Sequence, residues 1–445
     1  MGICRKIYRS LLMAAISVAA LGCSPDWETD MEPGSGQISD NPDRTVSQDR
    51  RKVMLLYIAG YNNLKDYLEK NIQDLMQGWL PGHNRANDVL LVYSHLSKSR
   101  ADFKTPVEPV LMRIYRDNAG NAVTDTIRTY SPAAISASAP HLHEVLDFVR
   151  SEFPAQSYGL VFSSHATGYL PAGFYSNPHK YVFSEGKSYR QGRRQHVPAG
   201  IPYIEIERDP SLPEVKSIGQ TVQDGLSYEM DIRDFAEAIP MKLDYILFDA
   251  CLMGGVEVAY ELADKCDRLA FSQAEVLAQG FNYTTITTHL LNNSEASYPD
   301  LVCEDYFNYY NTQSGSYRSA TVSLIDCSKT ACLADLCKEL FDRYRTGIYG
   351  LDPSDVQRYY TSNHHWFYDL ESILINAGAS DEDLERLRDC LDDCILYKGC
   401  TPSFLGSFDI YTFSGLSMYL PSNGHTELDK YYRTLKWNLA TGLVK

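Results

Sequence analysis

The chain has 445 residues, 44% of them hydrophobic and 22% charged, which is ordinary globular composition and enough for one large domain or two moderate ones. Its formal net charge of -16 at pH 7 argues against nucleic-acid binding through a broad basic face. Cationic substrates are the more natural partners.

Residues 1–22 carry Arg5, Lys6 and Arg9 ahead of an apolar run from Leu11 to Leu21 that is short for a bilayer span, so they read as a signal peptide. The run ends in Ala20-Leu21-Gly22-Cys23, which resembles a bacterial lipobox with its leucine one position nearer the cysteine than usual. Cys23 is therefore expected to carry lipid as the first residue of a mature protein anchored to the outer membrane of the cell envelope. Residues 23–51 are rich in Asp, Pro, Gly, Ser and Gln and predict a flexible acidic tether. Asp26, Glu28 and Asp30 resemble a surface-export signal of bacterial lipoproteins.

The folded part, residues 52–445, opens with a strand over Lys52–Ala59. Gly60 and Tyr61-Asn62-Asn63 follow, then a helical pattern through Met76. Val89–Tyr93 and Val110–Tyr115 predict strands, and His141–Phe153 a helix. Strands alternating with helices imply a mainly parallel sheet covered on both faces. Tyr158–Ser163, YGLVFS, is a short apolar strand running into Ser164-His165-Ala166-Thr167-Gly168. Residues 169–227 lose periodicity and predict a long insertion; it holds Lys180, Lys187, Arg190, Arg193 and Arg194, a basic island in an acidic chain that is either a solvated excursion or functional.

The most informative stretch is Leu243–Leu262, LDYILFDACLMGGVEVAYEL. Tyr245–Phe248 predicts a buried strand, and from Gly254 onward Val256, Tyr260 and the Val258/Leu262 pair recur at helical spacing. Cys251 then falls where a strand meets the first turn of a helix, the edge at which open α/β sheets keep their chemistry. A helix N-terminus favours thiolate, whereas a lone cysteine is otherwise a small buried hydrophobe. A histidine at one strand end and a cysteine at another supply base and nucleophile when they meet across a parallel sheet. His141, His143, His364 and His365 compete for the base role, but no apolar block ends in any of them.

These blocks, and Asp249-Ala250-Cys251-Leu252-Met253-Gly254 in particular, resemble the clostripain-like family of cysteine peptidases in the caspase-fold clan. Lys52–Met76 resembles the family's first strand, turn and helix. Arg268–Ser272 and the following residues occupy the place of a family segment in which Ser272, Gly280 and Tyr283 agree and Gln273, Ala274 and Leu277 depart. Asp326-Cys327-Ser328-Lys329, Tyr368-Asp369-Leu370 and Gly415–Pro421 resemble later landmarks, so residues 326–445 are expected to complete the same domain. The resemblance implies a caspase-like αβα sandwich and peptide-bond hydrolysis with Cys251 as nucleophile and His165 as general acid and base, no third triad residue being visible. It implies an oxyanion hole from the backbone N–H groups of Cys251 and Ala166, and Asp249 facing a basic P1 side chain. Ser272 and Gln273 would border the substrate. No cofactor is required, although some relatives use calcium. Relatives are often activated by a cut between the His- and Cys-bearing parts, which makes Lys187, Arg190, Arg193 and Arg194 self-cleavage candidates within Tyr181–Arg208. Uncut, the loop would hold a basic side chain against Asp249 as a built-in inhibitor. Two further readings stand beside this one: altered P1 preference, and a weak or inactive surface lipoprotein that binds peptide or glycan ligands on the same fold.

Two of the eleven cysteines, Cys4 and Cys23, belong to the expected leader and lipid anchor. The odd number left in a large exported domain argues against a dense disulfide framework. Cys327, Cys332 and Cys337, and Cys390, Cys394 and Cys400, lack paired CxxC spacing, so no metal site is expected. Cys394–Cys400 is the more plausible local bridge.

Overall fold

The strand expected from Lys52 onward, β1 (Lys52–Gly60), is buried at every position, as a strand covered on both sheet faces must be. It belongs to a computed structural model that describes residues 51–84, 88–102, 105, 107–183, 200–203, 211–216, 221–292, 296–361 and 366–445. Residues 1–50, Cys23 among them, and Lys187, Arg190, Arg193, Arg194, His364 and His365 lie outside the described residues.

After α1 (Lys65–Gln77) come β2 (Val89–Leu96), β3 (Val110–Arg116), β4 (Ala122–Thr129), α2 (Ala139–Glu152) and β5 (Ser157–Ser163). Short strands β6 (Ile201–Pro202), β7 (Thr221–Gln223) and β8 (Leu226–Tyr228) pair in a small antiparallel sheet inside the insertion, ordered β6-β8-β7. Then follow α3 (Ile232–Ala238), β9 (Leu243–Asp249), α4 (Val256–Leu262), β10 (Cys266–Phe271), α5 (Ile286–Leu291), α6 (Pro299–Asn311), β11 (Thr321–Asp326) and α7 (Thr330–Tyr349). The last third adds β12 (Tyr368–Asp369), α8 (Leu370–Asn376), α9 (Asp381–Cys394), β13 (Ile395–Cys400), α10 (Thr426–Tyr432) and α11 (Lys436–Thr441).

The central sheet has nine strands in the order β13-β11-β10-β9-β5-β1-β2-β3-β4. Its middle, β10-β9-β5-β1-β2, is parallel, while β3, β4, β11 and β13 are added antiparallel at the two edges. From β1 the chain steps through α1 to β2 on one side, and from β9 it steps through α4 to β10 in the opposite direction. Right-handed crossovers taken in opposite directions place α1 and α4 on opposite faces, which makes the αβα sandwich. The direction reverses between β1 and β5, and at such a point the strand ends splay into a crevice. Because β11 and β13 belong to this sheet, the C-terminal third is built into the same compact unit.

Sequence reading missed β4. Its residues alternate between half-buried and exposed, so a sheet-edge strand with Thr, Asp and Arg carries a weak apolar signal. The expected Cys394–Cys400 bridge is corrected: the nine described cysteines form no disulfide. Cys394 ends α9 and Cys400 ends β13, and the extended backbone between them spans roughly 20 Å, well beyond disulfide reach. Among the described residues no helix is long and apolar enough to cross a membrane.

Candidate active site

Parallel β5 and β9 are neighbours, and their register pairs Ser163 with Asp249 at the last rung. His165 and Cys251 each lie two residues beyond that rung, so the two sequence-nominated residues leave the sheet side by side. Their turns also touch. Gly168 adopts φ +62° and Leu252 φ +61°, and a Cβ on Gly168 would collide with the Leu252 carbonyl oxygen, so only glycine admits this approach.

The left-handed Leu252 corrects the expected helix start at Cys251. Leu252 N–H donates to Ala274 O (2.9 Å) and Gly254 N–H to Ser272 O (2.7 Å), and α4 begins only at Val256. Cys251 thus sits in a turn, and a helix N-terminus does not act on it. A different group supplies hydrogen bonding: Val276 N–H donates to Cys251 Sγ at 3.0 Å. The sulfur is wholly buried. His165 is nearly so, and its Nε2 lies 2.7 Å from Asn63 Oδ1, in the turn after β1. Oδ1 can only accept, so Nε2 carries the proton and Nδ1 is left as the basic nitrogen. Asn63 is a third residue of the constellation, which sequence reading did not find.

Asp249, also wholly buried, faces a basic side chain, and that side chain is the protein's own Lys216. Lys216 Nζ forms an ion pair with Asp249 Oδ2 and donates to Ser163 Oγ at 3.1 Å. Ser163 Oγ–H and Tyr283 Oη–H also donate to Asp249 Oδ2, at 2.8 and 2.6 Å. Gly280, at φ +70°, closes the other side, where any Cβ would run into the carboxylate. Burial pushes the Lys216 ammonium down from its ordinary pKa, while Asp249, and beyond it Cys251, hold it up. Lys216 is fully buried, and its carbonyl oxygen accepts from Ala166 N–H at 3.2 Å. One residue of the insertion therefore touches both the Asp249 pocket and the N–H expected from sequence as an oxyanion donor.

Ser272 and Gln273, expected at the substrate, turn elsewhere. Ser272 Oγ pairs with Thr321 Oγ1 (2.8 Å), and Gln273 Nε2 donates to Ser323 Oγ (3.1 Å) and Gly415 O (2.8 Å). Both brace the turn after β10 against β11 and the loop at Gly415. The surroundings of the Lys216–Asp249 pair are built instead by Ser163, Gly280 and Tyr283. Lys216 lies beyond Tyr181–Arg208 and outside the basic island. Among the described residues, no group of three or more His, Cys, Asp or Glu side chains is arranged to hold a metal ion.

The sequence profile of the clostripain family matches residues 56–185 and 206–440. No curated protein matches the chain. Among solved structures, an inactive zymogen C11 protease from Parabacteroides distasonis is 25% identical, covering 89% of this chain and 99% of its own at a TM-score of 0.68. A secreted C11 cysteine protease from Bacteroides thetaiotaomicron, solved with an irreversible peptide inhibitor, is 22% identical over 88% of this chain and 98% of its own, with TM-score 0.66. A further structure of a secreted C11 cysteine protease from that organism reaches 23% identity and TM-score 0.67, over 88% and 99%. With the family profile matched over most of the chain, this chain belongs to the clostripain family of cysteine proteases.

Proposed function

We propose that the chain is an endopeptidase cutting after Lys or Arg, with Cys251 as nucleophile and His165 as general acid and base, and that its first substrate is its own Lys216–Ser217 bond. The observation that carries this reading is Lys216, whose ammonium meets Asp249 while its carbonyl oxygen meets Ala166 N–H. A peptide poised for cleavage after a basic residue needs those two contacts.

The chemistry follows from the groups present. His165 Nδ1 takes the Cys251 thiol proton, the resulting thiolate attacks the Lys216 carbonyl carbon, and the oxygen gains charge against Ala166 N–H; one such donor is typically worth about 3 kcal/mol. His165 gives its proton to the Ser217 nitrogen as the C–N bond breaks, leaving an S-acyl enzyme. Water, deprotonated by His165, then releases Lys216 as a free carboxylate and restores the thiol. A thiol near pKa 8.5 is partly ionised without help, so a dyad suffices, with Asn63 orienting the imidazole. A cationic P1 side chain close to Cys251 favours its thiolate, which couples specificity to activation of the nucleophile.

Until cut, the cleft is filled. That supports reading the intact chain as a latent precursor, and the same filling supports the alternative of a protein that binds its own segment without cleaving it. Mass spectrometry of the purified protein separates the two. Wild type should yield fragments ending at Lys216 and beginning at Ser217, while Cys251→Ala and His165→Ala stay intact. Lys216→Gln should block the cut, and a chain with Gln at 187, 190, 193 and 194 should still be cut at Lys216. Processing of Cys251→Ala would overturn the nucleophile. Undiminished processing of Lys216→Gln would return the cut to the upstream basic residues. An intact wild-type chain without peptidase activity would favour the binder.

The leader supports export and lipid attachment at Cys23. Labelling with an alkynyl fatty acid that Cys23→Ala abolishes is the expected result.

A further inference from the structure

The segment that fills the cleft is bound as a strand. Lys216 N–H donates to Val276 O and Ala278 N–H to Glu214 O, both at 2.8 Å, around an antiparallel bridge between Val215 and Leu277. Alternation along an extended segment sends Lys216 and Glu214 to one side and Val215 to the other. If Lys216 is the P1 residue, as proposed above, Val215 stands at P2 and Glu214 at P3. Val215 is 7% exposed and packs into the core. Glu214 forms an ion pair with Arg100, in the short turn after β2 bridged from Ser99 to Asp102. Tyr67, on α1, faces the same carboxylate: burial first, then Glu214, raises its phenol. Asp66 also faces Arg100, so a competing carboxylate is already present.

Arg100 and Tyr67 come from the sheet-bearing body, whereas Glu214 belongs to the segment that a substrate would replace. We infer that Arg100 and Tyr67 form a subsite for an acidic P3 side chain, so that the enzyme favours peptides with Asp or Glu two residues before the basic residue at which it cuts. This rests on Lys216 marking P1. The pair is about half open to solvent, with side-chain exposures of 49% for Arg100 and 33% for Glu214, so the preference is modest. A two- to five-fold effect is the range, about what exposed ion pairs give, and it shrinks as salt rises.

The test uses processed enzyme, confirmed as two chains by mass, with fluorogenic peptides Xaa-Val-Lys in which Xaa is Glu, Gln or Arg, and with Glu-Val-Gln as a control. Wild type should cleave Glu-Val-Lys two- to five-fold faster in kcat/KM than Gln-Val-Lys, and Arg-Val-Lys slowest. Arg100→Glu should invert the order. Equal P3 ratios in the two enzymes, or no P3 preference in wild type, would overturn the subsite. Cleavage of Glu-Val-Gln at the rate of Glu-Val-Lys would instead overturn the P1 assignment. Self-processing gives an independent reading: Glu214→Arg should slow it, and adding Arg100→Glu to that variant should restore it. Thermal melts matching wild type exclude misfolding, and failure of the charge swap to restore processing would count against Arg100.

Discussion

The carbonyl oxygen of Lys216 accepts a hydrogen bond from Ala166 N–H at 3.2 Å, one residue past His165. Its side chain reaches Asp249 at the end of the neighbouring strand, so a single residue spans two adjacent strand ends. The contact is between an insertion and the sheet, and on the proposed P1 assignment of Lys216 the uncut chain is both substrate and plug.

Asp249→Asn is expected to reduce kcat/KM of processed enzyme on Lys and Arg reporters by about 10²- to 10³-fold, the loss that goes with removing one partner of a buried pair. In the uncut precursor, held uncut by Cys251→Ala, the same change strands a buried ammonium and should lower stability by about 3 kcal/mol or more. Replacing Lys216 with Met as well should recover most of that, since an apolar pair of similar volume is tolerated. Denaturant unfolding of the three chains measures this; an unchanged midpoint in Asp249→Asn would show that the pair is not desolvated.

Gly280→Ala forces a side chain onto a residue at φ +70° and into the Asp249 carboxylate. Tyr310 Oη–H holds the Gly280 carbonyl at 3.0 Å, so the loop is not free to swing away. Roughly 1–2 kcal/mol of stability should be lost to backbone strain alone. Displacement of Asp249 should then cut Lys-reporter activity more than it cuts activity on a neutral P1. Equal loss on both would place the damage in the turn at Cys251 rather than in the pocket.

The strand ends at His165 and Cys251 were legible because a short apolar run followed by a polar turn is a local pattern. The αβα class followed from alternation of such runs with helical periodicity. What escaped was non-local or locally unmarked. Lys216 meets Asp249 across 33 residues and Asn63 meets His165 across 102, and no spacing rule connects them. The left-handed Leu252 escapes because a leucine gives no sign of positive φ, so the sequence pattern places the helix start too early. Ser272 and Gln273 follow a buried strand and look like pocket residues, yet β11 packs alongside and draws their side chains inward.

Asn63→Ala should lower kcat of processed enzyme about 10- to 100-fold with little change in KM, a part of the contribution that a positioned general acid and base makes. Asn63→Asp keeps the acceptor for His165 Nε2–H and adds a charge that stabilises the imidazolium. It should retain more activity than Asn63→Ala and move the acid limb of the kcat profile to higher pH. An Asn63→Ala enzyme with lower thermal stability but normal kcat would show that the contact is structural.

Glu257 provides a test through pH. It is wholly buried on α4, and its Oε1 accepts from Tyr419 N–H (2.9 Å) and Tyr432 Oη–H (2.7 Å). Burial pushes its carboxyl from the ordinary 4.5 up to about 7. The folded state therefore holds a proton that the unfolded chain gives up, so the stabilising contribution is complete below pH 4.5 and disappears as pH rises through 7. The change amounts to about 3 kcal/mol. His95 works the other way, because burial lowers it to about 3 and its contribution, present above 6.5, is lost on acidification. Between pH 4.5 and 6.5 the two slopes oppose each other, so the wild-type curve alone hides both. Glu257→Gln removes only one. Relative to wild type, the variant should gain about 3 kcal/mol between pH 4.5 and 7.5 in urea unfolding of the Cys251→Ala background. Parallel curves for the two chains across that window would mean that Glu257 ionises in the fold as readily as in water.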